Sequence, residues 1–202
     1  MIARAAAVLF AAYAIGSIPT GYWFGRAWKG IDVRRHGSGN LGATNVFRVL
    51  GAGPGLFTLG FDILKGLLPV LGCQQWFPGD TALAAGTGIA AILGHTTSVF
   101  VGFRGGKGVA TSAGVFAALL PKPFFGAIGV FAASFALTRI VSISSILGAV
   151  TLAVLAFLWS PSQGLSVLAA LVAVFILWKH HANLRRLKEG TEPRIVFGKE
   201  KA

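Results

Sequence analysis

Acidic side chains are scarce in this chain: six Asp and Glu stand against 18 Lys and Arg in 202 residues, a formal charge of +12. Asp32, Asp62 and Asp80 are far apart, while Glu189, Glu192 and Glu200 all fall in the tail. That leaves no carboxylate cluster to hold magnesium and no metal site. Cysteine is nearly absent too. Cys73 alone excludes an intrachain disulfide and a cysteine zinc site. Charge of either sign is sparse, at 12% of residues, which is far below what a water-facing surface requires.

What replaces charge is apolar surface: 54% of residues are hydrophobic and the mean hydropathy is +0.73. Apolar stretches recur at 2–24, 53–72, 81–101, 109–120, 124–137, 143–159 and 164–178. Most approach the roughly 20 residues a tilted helix needs to cross ~30 Å of hydrocarbon. The expectation is an all-α integral membrane protein with seven transmembrane helices, some of them short or broken, joined by glycine-rich cytoplasmic loops. The fourth and fifth stretches are too short unless they borrow flanking residues, and Pro121-Lys122-Pro123 separates them. The start, Met1-Ile2-Ala3-Arg4, resembles a secretory signal but lacks a clear small-x-small cleavage site before the next membrane segment, so it is kept as a helix.

Basic residues orient the chain. With seven crossings, Lys and Arg at 26, 29, 34, 35, 48, 104, 107, 139 and from 179 onward share one side, leaving Arg4 and Lys122 on the other. The positive-inside rule then puts the N-terminus outside and the C-terminus in the cytoplasm. Six crossings, with the fourth stretch re-entrant, would export the basic tail. Residues 1–202 therefore read as one membrane domain with a basic tail, 179–202, expected to lie near anionic headgroups or to be mobile.

Several polar motifs interrupt the apolar pattern. Gly37-Ser38-Gly39-Asn40-Leu41-Gly42 spells G-x-G-x-x-G, but a membrane helix and a basic linker precede it where a dinucleotide fold needs a strand. Its glycines let backbone N–H groups approach an oxyanion, Ser38, Asn40, Thr44 and Asn45 add short polar groups, and Arg48 adds a fork suited to phosphate. The loop Arg104-Gly105-Gly106-Lys107-Gly108 leads into a helix carrying Thr111. It is not a Walker motif, since Gly108 follows the lysine, yet it is a cationic anion cradle. Ser142, Ser144 and Ser145 follow Arg139. His180 and Asn183, three apart, share a helical face, with His181 beside them. Inside apolar stretches lie Asp62 and Lys65, spaced to pair and brace the loops, and His95, either a core hydrogen-bonding residue or one that reaches the site.

These motifs, in order along nearly the whole chain, resemble the bacterial acyl-phosphate-dependent glycerol-3-phosphate acyltransferases, the PlsY family. The resemblance implies an enzyme of the bacterial inner membrane, without cofactor, nucleic acid or obligate protein partner. Such an enzyme moves a fatty acyl group from acyl phosphate to glycerol 3-phosphate and so makes lysophosphatidic acid. It implies that Ser38, Arg48, Lys107, the Ser144-Ser145 pair, His180 and Asn183 line the site. The residues suit that chemistry in their own right: two phosphorylated reactants ask for a cationic, backbone-rich site at the cytoplasmic face. An acyl phosphate is already activated, so no covalent enzyme intermediate is demanded. The base stays open between His180, acting directly or through Asn183, and a substrate phosphate, because no Ser-His-Asp or His-x4-Asp pattern is present. A transporter of an organophosphate anion is the alternative; it would be expected to carry an internal repeat and binding groups near the midplane.

Overall fold

A computed structural model describes residues 2–160 and 162–196, and all regular structure among them is helical. The chain divides into two compact units, Met1–Pro121 and Lys122–Ala202.

In the first unit, α1 (Ile2–Ser17) runs to Ile18-Pro19, where the missing N–H of proline ends it, and α2 (Thr20–Lys29) follows at once. α2 stops at Gly30, which takes the left-handed conformation and returns its N–H to Arg26. A 3-10 turn, Val33–Arg35, and the first glycine loop lead into α3 (Ala43–Leu50), then α4 (Ala52–Trp76), α5 (Thr81–Thr96) and α6 (Val109–Leu119). Asp80 caps α5 by accepting the Leu83 N–H at 2.9 Å. α1 packs on α5, and α4 on α6, backbone against backbone. A side chain at Gly94 would strike the Tyr13 carbonyl, and one at Gly114 the Ile63 carbonyl. In lipid, where apolar surface gains nothing by leaving its surroundings, such small-residue contacts are what let helices associate.

The second unit holds α7 (Pro121–Thr138, from Lys122 on), α8 (Val141–Trp159), α9 (Gln163–Lys179) and α10 (His181–Lys188). α8 packs along α9, and α10 bends 56° from α9 at His180.

Each of the seven apolar stretches coincides with a helix, namely α1, α4, α5, α6, α7, α8 and α9. Among the described residues, length and apolarity suffice for a crossing in four spans, Ile2–Lys29, Ala52–Trp76, Thr81–Val101 and Val141–Trp159, or five if α9 and α10 form one bent span. Phe10, Leu56, Leu68, Leu137, Leu158 and Trp178 stand exposed on these helices, as side chains facing hydrocarbon do.

Sequence reading did not anticipate α3, the break at Pro19 that sets α2 off within and beyond the 2–24 stretch, or the bend at His180 that sets α10 off from α9. These helices are short and amphipathic, too brief to carry an apolar run of their own. Part of the tail, expected near headgroups or mobile, is folded. Gly190 turns the chain back in the left-handed conformation, Glu192 and Ile195 are buried, and Ile195 N–H bonds the Arg139 carbonyl at 2.8 Å. Residues 179–196 are therefore partly folded structure and not a loose basic strand; Glu200 lies outside the described residues.

Candidate active site

The first glycine loop is built around Asn45, which is 1% exposed. Its Nδ2 points at the carbonyls of Val33 (3.0 Å), His36 (3.1 Å) and Asn40 (2.9 Å), and its Oδ1 accepts the Ser38 N–H at 2.8 Å. One side chain thus gathers the whole turn onto the start of α3. Gly37 and Gly39 sit at φ 61° and 70°, and a Cβ on Gly37 would run into the Asn45 side chain. The Gly39 N–H goes to the His36 carbonyl at 3.1 Å and the Gly42 N–H to Asn40 Oδ1 at 2.8 Å. Several of the loop's donors are therefore engaged within the protein, and the glycines serve close approach and backbone conformation. Ser38 remains exposed at the tip, while Thr44 and Arg48 lie one turn apart on α3 and are half-buried.

Before this loop, Arg34 grips Asp32 with a fork, Nε to Oδ1 at 3.0 Å and Nη2 to Oδ2 at 2.8 Å. That hydrogen bonding outweighs the opposing effect of burial and holds the Asp32 carboxyl down at about 2.

The second loop hangs from the end of α5. Gly105 N–H bonds the Thr96 carbonyl at 3.2 Å and Gly106 N–H the His95 carbonyl at 3.1 Å. A Cβ at Gly106 would collide with His95 Nε2, so only glycine lets the loop cross the imidazole. Gly108, at φ 86°, then turns the chain into α6, with half-buried Lys107 just before the helix and Thr111 in its first turn. The N–H groups of that turn lack partners within the helix and suit an anion. The Thr111 hydroxyl is fully buried and has no hydrogen-bond partner among the described residues.

Beneath this loop, Lys65 Nζ lies 2.6 Å from Asp62 Oδ1 and donates to the Ile18 carbonyl at 2.9 Å, with His95 Nδ1 3.7 Å from the same carboxylate. The pair links α4 to the α1–α2 break, and His95 ties it to the glycine loop.

In the second unit the serines of α8 separate by their partners. Ser144 Oγ bonds the Ile140 carbonyl at 3.1 Å and Ser134 Oγ at 3.3 Å. Ser142 Oγ donates to Glu192 Oε1 at 2.8 Å. Ser145, 4% exposed, has no side-chain hydrogen bond among the described residues. The paired histidines separate as well. His181 is exposed, whereas His180 is 3% exposed with Nδ1 2.7 Å from the Ile176 carbonyl. A carbonyl only accepts, so Nδ1 carries hydrogen.

Sequence reasoning missed Glu192. Its Oε1 accepts from Ser142 and, at 2.6 Å, from Asn183 Nδ2, while its Oε2 accepts from Arg186 Nε at 2.7 Å. Burial pushes this carboxyl up, but the bonds from Asn183, Ser142 and Arg186 prevail and leave it below its ordinary value. The only signal in the sequence is an acid standing in a basic tail. The candidate residues thus fall into two sets: Ser38, Arg48, His95 and Lys107 in the first unit, and Ser145, His180 and Asn183 in the second.

Residues 6–190 match the glycerol-3-phosphate acyltransferase family. A glycerol-3-phosphate acyltransferase of Trichlorobacter lovleyi is 46% identical, over 91% of this chain and 94% of its own. One of Acaryochloris marina is 43% identical, over 96% and 93%. Among solved structures, that of PlsY, an integral membrane glycerol 3-phosphate acyltransferase, in its glycerol 3-phosphate form superposes with a TM-score of 0.91 at 36% identity, covering 96% of each chain. Its lysophosphatidic acid form gives 0.88.

Proposed function

Since the chain belongs to the glycerol-3-phosphate acyltransferase family, we propose that its acyl donor is an acyl phosphate and that transfer is direct. The primary hydroxyl of glycerol 3-phosphate attacks the acyl carbon. A carbon–oxygen bond forms there, the bond from that carbon to the phosphate oxygen breaks, and inorganic phosphate leaves with the electron pair. The products are lysophosphatidic acid and phosphate, with no acyl-enzyme. The hydroxyl proton passes to His180 Nε2 or to a phosphate oxygen.

The observation that carries this reading is where the cations stand. Arg48 and Lys107 each follow a glycine loop whose N–H groups at Gly39, Gly42, Gly105 and Gly106 are already hydrogen-bonded inside the protein. What these loops offer a phosphate is therefore mainly side-chain charge, the α6 first turn and the Ser38, Thr44 and Thr111 hydroxyls. Arg48 and Lys107 hold the two phosphates and neutralise charge on the leaving group. Ser145 and Asn183 attend the acceptor, with His180 beside them. Positioning and charge neutralisation supply most of the acceleration, because the donor already carries a good leaving group. In the same reading the chain makes seven crossings of a bacterial inner membrane, N-terminus outside and C-terminus in the cytoplasm, so that both glycine loops face the cytoplasm.

The test uses the full chain in lipid nanodiscs with labelled glycerol 3-phosphate and, in parallel, palmitoyl phosphate or palmitoyl-CoA. Lysophosphatidic acid is expected from the phosphate donor alone. Equal turnover with the thioester would overturn the donor assignment. Lys107→Ala is expected to lose more of kcat than His180→Ala; comparable losses at unchanged substrate affinity would contradict the secondary role given to proton removal.

A further inference from the structure

Positive φ in this chain is otherwise the business of glycine. Among the described residues, the non-glycines that adopt it are Phe103 and Arg139. Arg139, at φ 57°, stands just past the end of α7, where a side chain crowds its own backbone and glycine is the usual occupant. The backbone around it is pinned. Arg139 N–H bonds the Phe135 carbonyl at 2.8 Å, the Arg139 carbonyl accepts the Ile195 N–H at 2.8 Å, and the Ile140 N–H goes to Thr138 Oγ1 at 3.1 Å. The turn is thereby held in a conformation that glycine would reach with less strain.

Nothing inside the second unit explains an arginine there. Its side chain is exposed and makes no hydrogen bond, ion pair or ring contact among the described residues. Glu192, the buried carboxylate of this unit, takes its bonds from Ser142, Asn183 and Arg186 instead. A charged residue kept at a strained position without an internal partner points to a partner from outside.

The surroundings select an anion. Arg139 precedes α8 by two residues, and the first N–H groups of a helix have no partner within it and form its positive end. Ser145, one turn into α8, is buried with no side-chain hydrogen bond among the described residues, so its hydroxyl is available as a donor. A guanidinium fork, a helix start and a hydroxyl together suit a phosphate dianion.

We propose that Arg139 is a further binding residue for the acceptor: its guanidinium pairs with the phosphate of glycerol 3-phosphate beside Ser145 and the first turn of α8. This rests on the reading that Ser145 attends that substrate. Arg139 acts on capture, raising affinity for the dianion and leaving the bond-making step to the groups already named.

The experiment compares wild type with Arg139→Gly, Arg139→Asn and Arg139→Lys as full chains in nanodiscs of phosphatidylcholine and, in parallel, of phosphatidylglycerol. It reads melting, binding of labelled glycerol 3-phosphate without donor, and kcat with palmitoyl phosphate. Gly and Asn accept the left-handed backbone and remove the charge, whereas Lys keeps it. Arg139→Gly is expected to melt no lower than wild type yet bind about tenfold more weakly in both lipids, with kcat at saturation within about twofold. Arg139→Asn is expected to follow Arg139→Gly, and Arg139→Lys to stay within about threefold of wild type. Added salt should weaken wild-type binding more than that of Arg139→Gly. Wild-type affinity in the two neutral variants, or an Arg139→Lys as poor as Arg139→Gly, would overturn the proposal. So would a loss of affinity that comes with lower melting in both neutral variants, since the residue would then be structural. A loss confined to phosphatidylglycerol would overturn it too, by giving the arginine to a lipid headgroup. If wild type itself binds no glycerol 3-phosphate, the acceptor reading falls and this inference with it; wild-type affinity in Arg139→Gly defeats this inference alone.

Discussion

Replacing Asp62 with Asn, Lys65 with Met, and both together separates the attraction between these two charges from the difficulty of burying either one alone. Their 2.6 Å contact, with both side chains under 5% exposed, corresponds to about 6 kcal/mol of gross attraction at an effective dielectric constant near 20. Removing two ions from water costs several kcal/mol each, so the pair contributes little net stability. Removing one member is different. Asp62→Asn leaves the Lys65 ammonium with the Ile18 carbonyl, and Lys65→Met leaves the Asp62 carboxylate facing His95. Each single change is expected to destabilise by about 3–5 kcal/mol, and the double change by about 2 kcal/mol or less. For a chain of this length that is a fall in Tm of about 6–20 °C for either single variant. Cys73 supplies the assay, since it is the only cysteine, is buried on the same helix, and reacts with a thiol-sensitive dye as the helices separate. Additive losses in the double variant, or single variants melting within about 2 °C of wild type, would refute the reasoning.

Gly114→Ala would put a methyl group 2.8 Å from Leu67 N and 3.0 Å from Ile63 C, against an ordinary approach of about 3.5 Å, forcing α6 away from α4. The expected result is about 1–3 kcal/mol of lost stability together with a fall in kcat of about a hundredfold, because Lys107 moves with α6; a normal rate measured on the folded variant would show that its placement is not critical. The lowered pKa of Asp32 contributes stability that is complete above its ordinary value of 3.8 and is lost as pH falls through about 2. Asp32→Asn should therefore melt lower at neutral pH, by the equivalent of about 1–2 kcal/mol, and lose part of the acid dependence in that window, followed by melting from pH 5 down to 2. Ser145→Ala is expected to lower kcat/KM for glycerol 3-phosphate about tenfold or more and Ser144→Ala about threefold at most, because Ser144 already bonds Ile140 and Ser134; the reverse order in a steady-state assay would exchange their roles.

The apolar runs located the long helices because burial in hydrocarbon is written in composition alone. Asp62 and Lys65 were likewise legible, since three residues along a helix place two side chains together. Asn45 shows where such reading stops. Its residue type suited a substrate contact, yet its amide is occupied by backbone groups of the preceding loop, and nothing in a linear pattern distinguishes the two uses. Glu192 was further out of reach, because its bond to Ser142 spans 50 residues and joins a tail to a helix start. Short helices such as α3 and α10 were hidden for a related reason. Their stability comes from packing at one face, and eight residues hold too few turns for a period to emerge.

The bond from Ile195 N–H to the Arg139 carbonyl also sets an order of events in biosynthesis. During synthesis, α7 and α8 are complete while the partner of Arg139 has not yet been translated, so the turn between these helices waits for a segment made more than fifty residues later. Glu192 travels in that same segment. A nascent chain can therefore have all its long helices and still lack the contacts that Glu192 makes with Ser142 and Asn183, which form only once residues 191–196 have left the ribosome.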